Sequence, residues 1–166
     1  LGIWKPVIPE FGNEGADRLA ALVAHERRCG IQPDPIRRLA AVLPPDGDIA
    51  ARVAQRLKLS RADRTRLVKA ASPASHTDHR VDAYLDGTVA ALDRLLLSGA
   101  DQDAVEAAAT FAVPKLPITG GALIERGLKP GPEVSERFAR FGLMWAEAGF
   151  PYESAAIEQL IERALC

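Results

Sequence analysis

Pro117-Ile-Thr-Gly-Gly-Ala-Leu-Ile-Glu-Arg-Gly-Leu-Lys-Pro-Gly-Pro-Glu-Val134 reads as helix, tight turn, helix. Thr119 stands where an N-cap would open a short helix carrying Leu123 and Ile124. Gly127 falls where a helix closes in the left-handed region. Pro132 and Glu133 then suit the first turn of the next helix, the proline because its missing N–H costs nothing there and the glutamate because it faces the positive helix end. A turn of this kind offers backbone N–H groups and one cation, Lys129, at a helix start, which suits a phosphate. The alternative reading is a tight corner between two helices and nothing more.

Working outward, helical spacing recurs along the chain and no period-two segment stands out, so the expected fold is all-α. It should be an irregular multi-helix bundle of about eight to nine helices, arranged as two small subdomains. Residues 1–15 are rich in Gly and Pro and read as an irregular lead-in. A first helix is expected near 16–29, with Leu19, Leu22 and Val23 inward. Asp34-Pro35 opens a second, which stops before Pro44-Pro45. A third starts near Asp46 and buries Ile49, Val53 and Leu57. Ser60 caps a fourth, with Asp63 three residues on and Leu67, Val68 and Ala71 inward. The apolar series Val81, Leu85, Val89, Leu92, Leu96 predicts one long helix over 79–98. Asp101 caps the next, near 101–112. After the 117–134 motif, Val134, Phe138, Phe141 and Trp145 form a helical stripe that reads as core. A last helix near 153–165 turns Ile157, Leu160, Ile161 and Ala164 inward.

A chain of 166 residues can build one good core or two small ones. No apolar run approaches membrane-spanning length, and the first residues lack the pattern of a signal peptide. Cys29 and Cys166 form no C-x-x-C pair, so free thiols and a cytoplasmic location are expected. The formal net charge of −1 hides an asymmetry. Residues 18–80 hold 13 Lys/Arg against 6 Asp/Glu, whereas residues 81–166 hold 7 against 13. The expected organisation follows: a lead-in at 1–15, a basic subdomain at 16–72, and an acidic one at 73–166 containing the 117–134 motif. A basic half suggests a polyanionic partner, unless the two halves neutralise each other across an internal interface.

The densest basic run is Arg52, Arg56, Lys58, Arg61, Arg64, Arg66 and Lys69, opposed locally by Asp63 alone. On two adjacent helices these side chains form a strip that would hold phosphates by counterion release, unless it is an ordinary solvated face. Arg126, Lys129, Arg137 and Arg140 form a second, weaker group around the turn at Gly131, diluted by Glu125, Glu133 and Glu136. His76-Thr-Asp-His79 is too sparse for a metal site and reads as a polar loop entering a helix. Asp46-Gly-Asp48 and Asp101-Gln-Asp103 match the D-x-D of metal-dependent nucleotidyl transfer as strings only; their places at helix starts explain them as caps.

The 117–134 stretch resembles the C-terminal part of bacterial CCA-adding tRNA nucleotidyltransferases and bacterial poly(A) polymerases, which carry a similar I-T-G-x-x-L-I-x-x-G-L-K-P-G-P signature. Pro33-Asp-Pro-Ile-Arg-Arg-Leu-Ala-Ala-Val-Leu43 and Arg56-Leu-Lys-Leu-Ser-Arg61 are similar to upstream elements of the same family, in the same order. The chain departs from the pattern at Ser135, where the family often has glycine. The resemblance spans most of residues 8–150 and implies the region that follows the catalytic head and neck. That region would be non-catalytic and would position the body of a tRNA, or another RNA, for nucleotide addition at its 3′ end. Its expected partners are that RNA and the protein's own N-terminal catalytic domain, with no membrane. Expected RNA contacts are Arg52, Arg56, Arg61, Arg64, Lys69, Arg126, Lys129, Gly131, Arg137 and Arg140. The chain itself needs no cofactor; Mg2+ and CTP or ATP are implied for the head, and no catalytic residue is carried over. Two other readings stand beside this one: a helical protein–protein interaction or oligomerisation module, and a small helical DNA-binding domain.

Overall fold

The computed structural model describes residues 5–166. Among them the chain is all-helical, with ten α-helices and no strand. It divides into two compact units, one ending at Phe111 and one spanning Ala112–Cys166.

The first unit holds α1 (Asn13–Arg28), α2 (Pro35–Val42), α3 (Gly47–Arg56), α4 (Arg61–Ala71), α5 (His79–Asp86), α6 (Thr88–Ser98) and α7 (Gln102–Thr110). Short acidic or hydroxyl caps start most of them. Asp34 accepts the amides of Ile36 and Arg37, Asp46 those of Asp48 and Ile49, and Asp101 that of Ala104. Ser60 accepts the amide of Asp63 and donates its hydroxyl to the Asp63 carboxylate at 2.8 Å. Both D-x-D strings are thereby used as helix starts. One core cluster gathers Ile8, Leu43, Val53, Ala54 and Leu67; another gathers Leu22, Ala41, Leu96 and Val105.

Three features differ from the sequence expectation. First, α1 begins at Asn13, inside the stretch read as lead-in. Gly15 lies buried in it, and a Cβ there would collide with the Val42 carbonyl, so this glycine permits the close approach of α1 and α2. Second, the helix expected over 79–98 is two helices. Gly87, at φ 93°, ends α5 and caps α6. The turn shifts the helical phase, so Leu85 and Val89 end 42% and 52% exposed instead of joining the buried stripe. Third, the first unit runs across the composition boundary drawn at 72/73, because α4 packs on both α2 and α6.

The second unit comprises α8 (Gly120–Glu125), α9 (Pro132–Glu147) and α10 (Ser154–Leu165). α9 packs on both its neighbours. Its stripe buries Phe141 and Trp145 completely, and Leu160, Ile161 and Ala164 of α10 are buried too. Trp145 donates its indole N–H to the Pro151 carbonyl at 2.7 Å and meets Phe150 edge to face at 5.0 Å. The chain turns out of α8 through Gly127 at φ 97°. The Leu128 amide reaches the Leu123 carbonyl and the Gly127 amide that of Ile124, the paired bonds of a left-handed helix stop. Thr119 occupies the N-cap of α8 as expected, yet its side chain makes no capping bond.

Candidate nucleic-acid interface

The basic run of the first unit lies on α3, the α3–α4 turn and α4, and the structure sorts it into two sets. The neutralised set begins with Arg66. Its guanidinium holds Asp93 through two bonds of 2.8 and 3.1 Å and Asp34 through one of 2.9 Å. Lys69 meets Asp86 at 3.3 Å and donates to that residue's carbonyl at 2.8 Å. Arg56 is tied to Glu10 at 2.5 Å and to the Val7 carbonyl. The alternative weighed above is thus realised in part: cations of the basic stretch meet Asp86 and Asp93 of the acidic one, inside a single unit.

The network around Arg66 continues inward. Arg37, with its side chain 3% exposed, holds Glu26 at 2.9 Å, the Gln32 carbonyl at 2.7 Å and Asp93 at 3.5 Å. Arg38 meets the other Glu26 oxygen at 2.8 Å. Three acids and three arginines from α1, α2, α4, α6 and the α2 cap balance each other. Burial raises the Asp93 carboxyl above the usual carboxylate range, although Arg66 and Arg37 oppose it. Burial acts the same way on Asp34, but the Arg37 amide and the Arg66 guanidinium outweigh it, so that carboxyl sits below the usual range. A second cluster sets Arg94 against Asp82 and Asp86, each at 2.6 Å. Asp86 is again lowered: burial raises it, and Arg94 and Lys69 more than offset that.

What remains is the second set: Arg52 on α3, Lys58 in the turn, and Arg61 and Arg64 on α4. All four are exposed, and none has an acidic partner within ion-pair distance among the described residues. Lys58 was counted in the basic run but not among the expected contacts. Its backbone sits at φ 54°, where the Leu59 amide closes α3 onto the Ala54 carbonyl, and this turn sets α4 against α3. The sequence signal for it was the break between two cationic helices. Of the expected contacts in this unit, Arg52, Arg61 and Arg64 stand free, whereas Arg56 and Lys69 are committed to acids.

In the second unit the cations divide likewise. Arg126 pairs with Glu158 at 2.5 Å, and Arg137 pairs with Glu133 at 3.4 Å while donating to the Ala164 carbonyl. Lys129 and Arg140 are exposed without an acidic partner among the described residues. Gly131 is the N-cap of α9 and supplies no side-chain cap; Pro132 has no N–H, and the Val134 amide donates to the Gly131 carbonyl at 3.1 Å. A Cβ at Gly131 would meet nothing within 4 Å, which removes crowding of the turn as a reason for glycine there.

Among the described residues no three His, Cys, Asp or Glu side chains cluster so as to hold a metal ion, and no helix is long and apolar enough to cross a membrane. Cys29 and Cys166 are free thiols. No protein-family model matches the chain, and no curated protein sequence matches it.

Proposed function

We propose that this chain is an RNA-binding, non-catalytic region of a tRNA nucleotidyltransferase-like or poly(A) polymerase-like enzyme, acting in the cytoplasm. The observation that carries the binding half is the set Arg52, Lys58, Arg61 and Arg64: four exposed cations on two adjoining helices and the turn between them, with no acidic partner among the described residues. Fixed positive charge of this kind gains affinity from released counterions and reads no base sequence, which suits the body of a structured RNA. The neutral network behind the strip holds α4 in place through Arg66, so the cations project from a fixed surface. The enzymatic half rests on the sequence motifs alone. In such an enzyme the metal and the CTP or ATP belong to the catalytic head, and this region contributes by positioning the RNA.

The test is a titration of the chain against tRNA, single-stranded RNA and duplex DNA, repeated with Arg52→Glu combined with Arg64→Glu. Preference for tRNA, and at least tenfold weaker binding by the double variant at low salt, is the expected result. Equal affinity of variant and parent would return the strip to an ordinary solvated face. For the enzymatic half, Lys129→Ala in the intact parent protein should slow nucleotide addition to tRNA. An unchanged rate and affinity would make the 117–134 turn purely architectural.

A further inference from the structure

A cavity of about 270 Å³ lies in the first unit, where the end of α4 meets α5 and α6. Its walls are largely aliphatic, made by Pro45, Ala70, Ala71, Ala91, Leu95 and Leu97. Asp82 of α5 and Arg94 of α6 line it as well, together with His76 and His79. Asp82 is 3% exposed, and its Oδ2 accepts from the Arg94 guanidinium at 2.6 Å. Its other oxygen, Oδ1, is buried and accepts no hydrogen bond. We propose that this cavity binds a small aliphatic molecule with a neutral O–H or N–H donor, an alcohol or a carboxamide, whose donor meets Asp82 Oδ1.

The bare oxygen is what points to a ligand. The place of Asp82 in the first turn of α5 and its bond to Arg94 account for a negative charge at this position. Neither accounts for an oxygen without a donor, because a buried acceptor left unmet forfeits the hydrogen bonds it makes in water. A guest that brings a donor restores one. Charge then narrows the guest. Arg94 is shared between Asp82 and Asp86, and Lys69 stands 3.3 Å from Asp86, so two carboxylates face two cations. A cationic guest would add an uncompensated charge to that balanced set, and an anionic guest would meet the Asp82 carboxylate. A neutral donor avoids both costs. Size and walls complete the description. At about 270 Å³ the cavity falls at the small end of ligand sites, which suits a compact aliphatic body. No Phe, Tyr or Trp lines it, so it offers no stacking wall of that kind to a nucleobase. None of Arg52, Lys58, Arg61 and Arg64 lines it either, so the inference is independent of RNA binding.

The experiment records amide NMR spectra of the 166-residue chain while isobutanol, isobutyramide, isobutylamine, isobutyrate and methyl isopropyl ketone are added in separate titrations. The probes share one aliphatic body and differ in head group. The alcohol and the amide should shift the Ala91 and Leu95 signals saturably, and bind about fivefold more tightly than the ketone, the worth of one net hydrogen bond. Asp82→Asn keeps an oxygen for Arg94 and turns the bare position into a donor, so the preference for alcohol over ketone should disappear. Ala74 is exposed and lines the cavity, so Ala74→Phe leaves the Asp82–Arg94 pair intact and should weaken binding by obstructing the entrance. That variant decides the case if Asp82→Asn does not fold. The proposal is overturned by the absence of saturable shifts, by a ketone that binds as well as the alcohol, or by tightest binding of the amine or the carboxylate. A donor preference that survives Asp82→Asn, or binding unchanged in Ala74→Phe, overturns it too.

Discussion

Single residues in the basic run carry very different weight, and burial decides which. Arg37 is buried between Glu26 and Asp93. Arg37→Leu would leave those two carboxylates in the interior with less compensation, and we expect a loss of about 3 kcal/mol or more in urea unfolding. Arg64→Ala removes an exposed, unpaired side chain and should change stability by no more than about 0.5 kcal/mol. Equal effects would mean that the network is not under strain from burial. The acid limb of stability follows from the same groups. Asp34 and Asp86 are held below their unfolded value of about 3.9, so their contribution is present above that pH and is lost as pH falls through their folded values. Asp93 has the opposite sign: raised by burial, it favours the fold at low pH and loses that contribution as pH rises through its folded value. Combining Asp34→Asn with Asp86→Asn keeps a competent cap on α2 while removing both acid-labile groups. The double variant should therefore lose less stability than the parent between about pH 5 and pH 2.5. A parallel fall in both proteins would show that other carboxylates carry the acid transition.

At the level of elements, the caps made most of the fold readable. Asp34, Asp46, Ser60 and Asp101 each announce a helix start, because a short oxygen-bearing side chain before an apolar period has few other uses. Glycines were harder, since one residue type serves opposite ends. Gly87 interrupts an apolar series that is continuous in period, so the series 81–96 reads as one helix although Leu85 and Val89 stay exposed. Gly15 misleads the other way: in a Gly- and Pro-rich stretch it suggests a loop, yet it lies inside α1, where a partner helix passes too close for a Cβ. That is a tertiary constraint with no local signature. It makes a sharp prediction. Gly15→Ala would improve helix propensity but press its methyl into the Val42 carbonyl, and we expect a net loss of about 1–3 kcal/mol by thermal or urea unfolding. Gly12→Ala, where a Cβ meets open space, should leave stability nearly unchanged. If Gly15→Ala were stabilising, the contact between α1 and α2 would have to be looser than the structure describes.

For the whole molecule, charge along the sequence and charge in space are different quantities. By sequence the chain is basic before residue 80 and acidic after it. By fold, the residues up to Phe111 hold 15 Lys/Arg and 15 Asp/Glu, and Ala112–Cys166 hold 6 and 7. The asymmetry therefore overstated the site: the run of cations was legible, but which of them are spent on Asp34, Asp86 and Asp93 depends on contacts between helices far apart in sequence. The strip's four free cations, Arg52, Lys58, Arg61 and Arg64, bound what it can do. If all four meet phosphates, the logarithm of affinity should fall against the logarithm of salt with a slope of magnitude about 3. Both core clusters described for this unit draw only on residues up to Val105. Residues up to Phe111, produced alone, should therefore unfold cooperatively in urea and keep that slope for tRNA. A slope near zero in a folded fragment would place the polyanion contacts in Ala112–Cys166, on Lys129 and Arg140, and would leave Arg52 and Arg64 as solvated surface.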